Sequence, residues 1–231
     1  MGTRHLIAVQ LDGEYKIAQY GQWDGYPEGK GIDVLHFLCN RMDEEKFKVA
    51  LRHSSFISDE ALNKLWKACG MQDDGLILLT DMDTMKRHHP EFHRDTSAEI
   101  LDLVQSCPNG MQLENSISFA ADGLFCEWAW VIDLDKRTFE GYRGFGKEPL
   151  SEQDRFYFLK DLENRGYGGV KLAAECTMQR PALCAGRRCG TVGVRILTVT
   201  TIGTRRRMTN GIRRRMMQNE PYYERDTSQI S

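Results

Sequence analysis

Two alternating runs meet at Asp12-Gly13, and no other stretch limits the fold so strongly. His5, Ile7, Val9 and Leu11 alternate with more polar residues before it, and Tyr15, Ile17 and Gln19 continue the alternation after it. An Asp-Gly pair accepts the positive φ angles of a two-residue turn whose twist matches its flanking strands. The segment is therefore expected to be a β-hairpin.

Beyond Tyr20 the pattern changes period. A glycine-rich loop, Gly21 to Gly31, leads into Ile32, Leu35, Leu38 and Cys39 at helical spacing. Phe47, Ala50 and Leu51 place a second helix over 43–52. Ser58 is an N-cap for a third, with Ala61, Leu62, Leu65, Trp66 and Cys69 on one stripe and Gly70 as its stop. Leu76 to Leu79 is a short apolar run. Thr80 with Asp83, and Thr96 with Glu99, have the spacing of helix starts, the second followed by Ile100, Leu101 and Val104, and Cys107 to Gly110 reads as a turn.

A second β region is expected next, with strands at Ile117 to Phe119, Phe125 to Asp133 and Thr138 to Tyr142, separated by turns at Asp122-Gly123 and Asp135 to Arg137. Both faces of Phe125 to Asp133 are largely apolar, which marks a central, covered strand. Ser151 with Asp154 opens a last helix whose Phe156, Leu159 and Leu162 point inward. Strands, helices, strands and a helix predict an α+β fold, with an antiparallel sheet from the N-terminal hairpin and the 117–142 strands packed against helices.

Charge divides the chain. Its net value of −2 hides 20 Lys and Arg against 30 Asp and Glu in residues 1–175, and 11 Arg, no Lys and 3 acids in residues 176–231. The expected organisation is one α+β domain over 1–175 and an Arg-rich tail over 176–231, disordered or an aberrant reading past a splice boundary or frameshift. Arg205 to Arg207 and Arg213 to Arg215 suggest phosphate contacts, but the triplets fall short of a basic run of about five to eight residues, and Tyr222 and Tyr223 alone offer stacking. Nucleic-acid binding is therefore not the expected activity, and it would rest on this tail alone.

Apolar residues at 41% and charged residues at 28% fit a globular protein. No apolar run reaches the roughly 18 residues of a bilayer span, and the start lacks a secretory pattern, so a cytoplasmic location without membrane contact is expected. Leu6 stands where a myristoylation signal wants Ser or Thr. Seven widely spaced cysteines with no Cys-x-x-Cys argue against a disulfide framework or zinc site, and Cys39, Cys69 and Cys126 are read as small buried hydrophobes.

Candidate chemistry concentrates in the loop. Gly25 to Gly31 has three residues between Gly25 and Gly29-Lys30 where a P-loop has four, and Gly31 replaces the magnesium-binding hydroxyl. Backbone N–H groups of Gly25, Gly29, Lys30 and Gly31 would still suit an anion at a helix start. Trp23, Asp24 and Tyr26 offer flat aromatic surfaces and a carboxylate, which suit a planar or cationic ligand. The competing reading makes the rings anchors that pin the loop to the core.

Elsewhere, Asp81 and Asp83 follow an apolar run as in haloacid dehalogenase-like phosphatases, but the downstream motifs are missing and both fit the first turn of a Thr80-capped helix. His88, His89 and His93 are interrupted by Pro90 and read as solvated or helix-terminal. No metal or cofactor is expected.

Gly2 to Leu6, the string Gln22-Trp-Asp-Gly-Tyr-Pro27 with Gly29 and Gly31, and Arg94-Asp-Thr96 ahead of a helix resemble an uncharacterised family of fungal, bacterial and phage proteins. The resemblance covers roughly 2–172 and implies no activity. The expectation is a cytoplasmic binding domain with a ligand or partner site around 22–31, the ligand being a small molecule or an anion. Two alternatives stay open: a small hydrolase or transferase using Asp24 with Glu127 or Asp95, and an interaction protein without a small ligand.

Overall fold

The computed structural model describes residues 2–162, 166–179 and 195–201. Strands β1 (His5–Leu11) and β2 (Glu14–Gly21) form the expected hairpin, with Asp12 and Gly13 both at positive φ. Helices α1 (Ile32–His36), α2 (Glu44–His53), α3 (Asp59–Ala68), α4 (Leu79–His88) and α5 (Ile100–Gln105) follow, with β3 (Ser55–Phe56) pairing with β4 (Gln112–Leu113) beside them. Strands β5 (Trp128–Asp133), β6 (Thr138–Arg143), β7 (Lys171–Gln179) and β8 (Arg195–Thr201) complete a six-stranded sheet in the order β2-β1-β5-β6-β7-β8.

Local sequence explains the helices that matched. Asp43 accepts from the Lys46 N–H at 3.2 Å, Glu44 and Glu45 occupy the first turn of α2, and Phe47, Ala50 and Leu51 form its buried stripe. Ser58 accepts from the Ala61 N–H to start α3, and Gly70, at φ 119°, follows its last turn.

The fold class is α+β, but the sheet is mixed. β1 and β5 run parallel, joined by the long helical crossover between them, whereas the other pairings are antiparallel. β5 is the covered strand expected. On one face Ile7, Val9, Ile17, Trp130, Ile132 and Phe139 meet Phe37, Phe47, Leu51 and Leu101 from the helices. On the other, Leu6, Ala8, Ala129, Val131 and Tyr142 are covered by Ala120, Ala121, Phe156 and Leu159.

Several elements differ from the pattern. Ile117 to Phe119 is not a strand but part of a 3₁₀ turn, Ile117–Ala121, because Asn115 Oδ1 accepts from the Ile117 N–H and turns the chain. β5 begins at Trp128 rather than Phe125, since Asp122 accepts from the Phe125 and Cys126 N–H groups and holds them in a turn. Thr80 is no cap: Asp81 Oδ2 accepts from the Leu78 N–H at 2.8 Å, and Leu78 is the N-cap, two residues earlier than Thr80. Thr96 instead donates to the Pro90 carbonyl at 2.5 Å. The last helix is a 3₁₀ turn, Tyr157–Leu162, in which Leu159 is buried and Leu162 is 55% exposed, and the buried Phe156 immediately precedes it.

β7 escaped the pattern altogether and runs across the compositional break at residue 176, placing Cys176 and Met178 in the core. The backbone of β8 continues the sheet beside it. The remaining tail, including both arginine triplets, lies outside the described residues. Cys39, Cys69, Cys107 and Cys126 are free thiols.

Candidate functional site

The 22–31 segment emerges from β2 at the end of the sheet where β1 and β5 begin. Its glycines answer to close packing. A Cβ on Gly25 would stand 2.6 Å from the His5 Cβ and 2.7 Å from the Thr3 carbonyl oxygen, one on Gly29 would stand 2.2 Å from the Asp24 carbonyl oxygen, and one on Gly31 would meet the Trp130 ring at 2.8 Å. Pro27–Gly31 is a turn, kinked at Gly29 where φ is −98° and ψ −107°, that leads into α1.

Hydrogen bonds fix the backbone. The Gly25 N–H donates to the Thr3 carbonyl (2.9 Å), the Lys30 N–H to the Asp24 carbonyl (2.8 Å), and the Gly29 and Gly31 N–H groups to the Tyr26 carbonyl (3.0 and 3.4 Å). From below, Trp130 Nε1 donates to the Gly25 carbonyl at 2.9 Å. The four N–H groups expected to cradle an anion thus already donate to backbone carbonyls, three within the loop and one at Thr3, and Lys30 Nζ is held by Asp33 at 2.8 Å.

The side chains point the other way. Trp23 keeps 48% and Tyr26 41% of its surface in solvent, so neither ring is buried in the core. Asp24 is exposed, holds a left-handed φ of 57°, and accepts from the Tyr26 hydroxyl at 3.3 Å. Nearby carboxylates raise the Tyr26 phenol, Asp24 first. Trp23 Nε1 donates to Asp95 Oδ1 at 3.2 Å, and Asp95 also meets Lys86 (3.3 Å). Glu127 sits elsewhere, accepting from the Arg4 N–H at 3.4 Å. Asp95 is therefore tied to the loop, while no hydrogen bond among the described residues joins Asp24, Asp95 and Glu127 as a catalytic set.

Beneath the loop lies a buried pair that the pattern did not single out. His5 and Ser97 are 0% and 2% exposed, and His5 Nε2 is 2.6 Å from Ser97 Oγ. Burial drives the His5 imidazole down to about 4, so it is neutral at pH 7. Ser97 holds a φ of 46°, and a Cβ on Gly21 would collide with the His5 ring at 2.2 Å. The available signal was the inward register of His5 in β1, which obliges a buried imidazole to find a partner.

The other candidates resolve as structure. Asp81 lies in the first turn of α4 and accepts from the N–H of its N-cap residue Leu78, and Asp83 is exposed. His88 is exposed and His89 faces Glu91 at 3.4 Å, but His93 is buried, 4% exposed, contrary to the solvated reading, and its Nδ1 accepts from the Asp95 N–H. Burial lowers the His93 imidazole. No helix of the described residues is long and apolar enough to cross a membrane.

No protein-family model matches the chain, and neither the curated proteins nor the solved structures compared with it give a match.

Proposed function

We propose that the protein is a binding module whose contact surface is the 22–31 loop, with Trp23 and Tyr26 as flat contact faces and Asp24 as the carboxylate between them. The observation that carries this reading is a fixed backbone under exposed rings. Trp23 and Tyr26 remain 48% and 41% exposed on a segment held by the Gly25–Thr3, Lys30–Asp24 and Trp130–Gly25 hydrogen bonds.

Aromatic side chains each offer about 150–250 Å² of surface, so covering the exposed half of both would supply on the order of 4 kcal/mol at roughly 25 cal/mol per Å². A rigid loop loses little further entropy when a partner covers it, so more of that gain reaches affinity. The ring and carboxylate chemistry suits a planar or cationic group, such as a guanidinium, an ammonium or a flat heteroaromatic.

A library of such compounds, screened by thermal shift and by quenching of Trp23 fluorescence, tests the reading. Hits are expected that vanish in Trp23→Ala and weaken in Asp24→Asn while both variants keep their own Tm. Hits that survive Trp23→Ala would overturn it, and turnover of a hit that Asp24→Asn binds but leaves intact would favour the hydrolase or transferase alternative.

A further inference from the structure

Most described arginines are spoken for. Arg41 meets Asp102, Arg52 meets Asp12, Arg137 meets Glu44, and Arg155 meets Asp133 and Glu140. Arg4 and Arg94 differ: both are half-buried, the Nε of each is fully covered, and neither guanidinium has a hydrogen-bond or ion-pair partner among the described residues. A buried charged donor without a partner is a cost that a fold does not ordinarily carry twice at one place.

Both lie in the chain next to residues that meet the end of β2 at Tyr20. Arg4 immediately precedes β1 beside the end of β2, and its guanidinium carbon lies 4.4 Å from the centroid of the Phe125 ring. Arg94 follows His93, whose carbonyl accepts from Gln19 Nε2 at 3.3 Å, one residue before Tyr20. Burial raises the Tyr20 phenol, while the charges of Arg4 and Arg94 both pull it down, with the Cys126 thiol as the group that opposes them. The Tyr20 hydroxyl donates to Gln22 Oε1 at 2.5 Å, which connects this place to the start of the loop.

We propose that Arg4 and Arg94 form a binding site for a phosphate-class oxyanion, floored by Tyr20 and walled by Phe125. Two guanidinium groups supply two positive charges and several N–H donors, which suit a dianion with three or four oxygens better than a single carboxylate. The partial exposure of Arg4, Arg94, Tyr20 and Phe125 leaves the site reachable from solvent. The site stands on the arginines alone and does not depend on the aromatic loop above it.

Titration calorimetry of the full chain in a phosphate-free buffer tests this with three probes: inorganic phosphate, phenyl phosphate and acetate. Saturable binding of inorganic phosphate is expected, weakened at least about tenfold in Arg4→Gln and in Arg94→Gln, and unchanged in Arg143→Gln, whose side chain is exposed over Trp128. Tighter binding of phenyl phosphate would assign a phosphate monoester, and equal binding would assign free phosphate. Circular dichroism establishes that each variant is folded, and if Arg4→Gln is not, Arg94→Gln decides alone. Absence of saturable phosphate binding, wild-type affinity in a folded Arg94→Gln, or acetate binding as tightly as phosphate would overturn the assignment.

Discussion

The Trp130 indole N–H reaches across the sheet to the Gly25 carbonyl, 2.9 Å away and 105 residues earlier in the chain. Trp130 is itself fixed, stacked on Trp128 at 5.5 Å and on Phe139 at 5.8 Å, so the central strand sets the height of the loop. Trp130→Phe keeps the apolar packing and leaves the Gly25 carbonyl without its buried donor. A loss of about 2 kcal/mol is expected in urea denaturation, together with faster hydrogen exchange at the Gly25 and Lys30 amides than at β1. Equal acceleration in β1 would mean that the bond holds the sheet rather than the loop.

His5 makes stability pH-dependent. Its imidazole falls from 6.5 to about 4 because it is buried. The folded state therefore prefers the neutral ring, and its contribution is fully present above pH 6.5 and is lost as pH falls toward 4. Between pH 7 and pH 5 the loss is about 2 kcal/mol, before most carboxylates begin to protonate. His93, lowered by burial as well, adds in the same direction. His5→Gln, which can still meet Ser97, should flatten the denaturation midpoint over pH 5–6.5, and a slope equal to wild type would show that His5 is not the titrating group.

Arg155 holds the opposite face of the sheet. Burial opposes its charge, but the Glu140 and Asp133 carboxylates outweigh that effect and hold the guanidinium above its ordinary value. Asp133 is 0% and Glu140 4% exposed, and Arg155 Nε to Glu140 Oε2 is 2.7 Å. Arg155→Met would leave two buried carboxylates without their cation, which costs about 3–5 kcal/mol. Adding Glu140→Gln to Arg155→Met should recover part of that loss by removing one carboxylate's charge. No recovery in the double variant would assign the loss to packing of the 151–162 segment instead.

What the sequence pattern revealed is what adjacent residues decide. Asp12-Gly13, the Ser58 cap and the Phe47 stripe act within a few residues, and all are where the pattern puts them. β7 was hidden because Leu172, Ala173, Ala174 and Glu175 favour helix, and its strand state comes from pairing with β6, whose partner residues lie 28–39 positions earlier. Leu76 to Leu79 is an apolar run that the fold nevertheless leaves 37–77% exposed. At the site, Trp23, Asp24 and Tyr26 were legible as unusual residues on glycine hinges. Their foundation was not, since His5 meets Ser97 across 92 positions and Trp130 meets Gly25 across 105.

Asp24 allows folding and binding to be separated. Its φ of 57° is costly for a residue with a Cβ and free for glycine. Its carbonyl accepts from Lys30, a bond that any residue in that conformation can make. Asp24→Gly should therefore leave stability unchanged or raise it by up to about 1 kcal/mol, while removing the carboxylate that Tyr26 now holds at 3.3 Å. Asp24→Ala keeps the strain and loses the carboxylate, so it should be the less stable of the two with the same binding defect. If cationic ligands bind Asp24→Gly as they bind the wild type, the carboxylate has no part in recognition and the loop's contact surface reduces to its two rings.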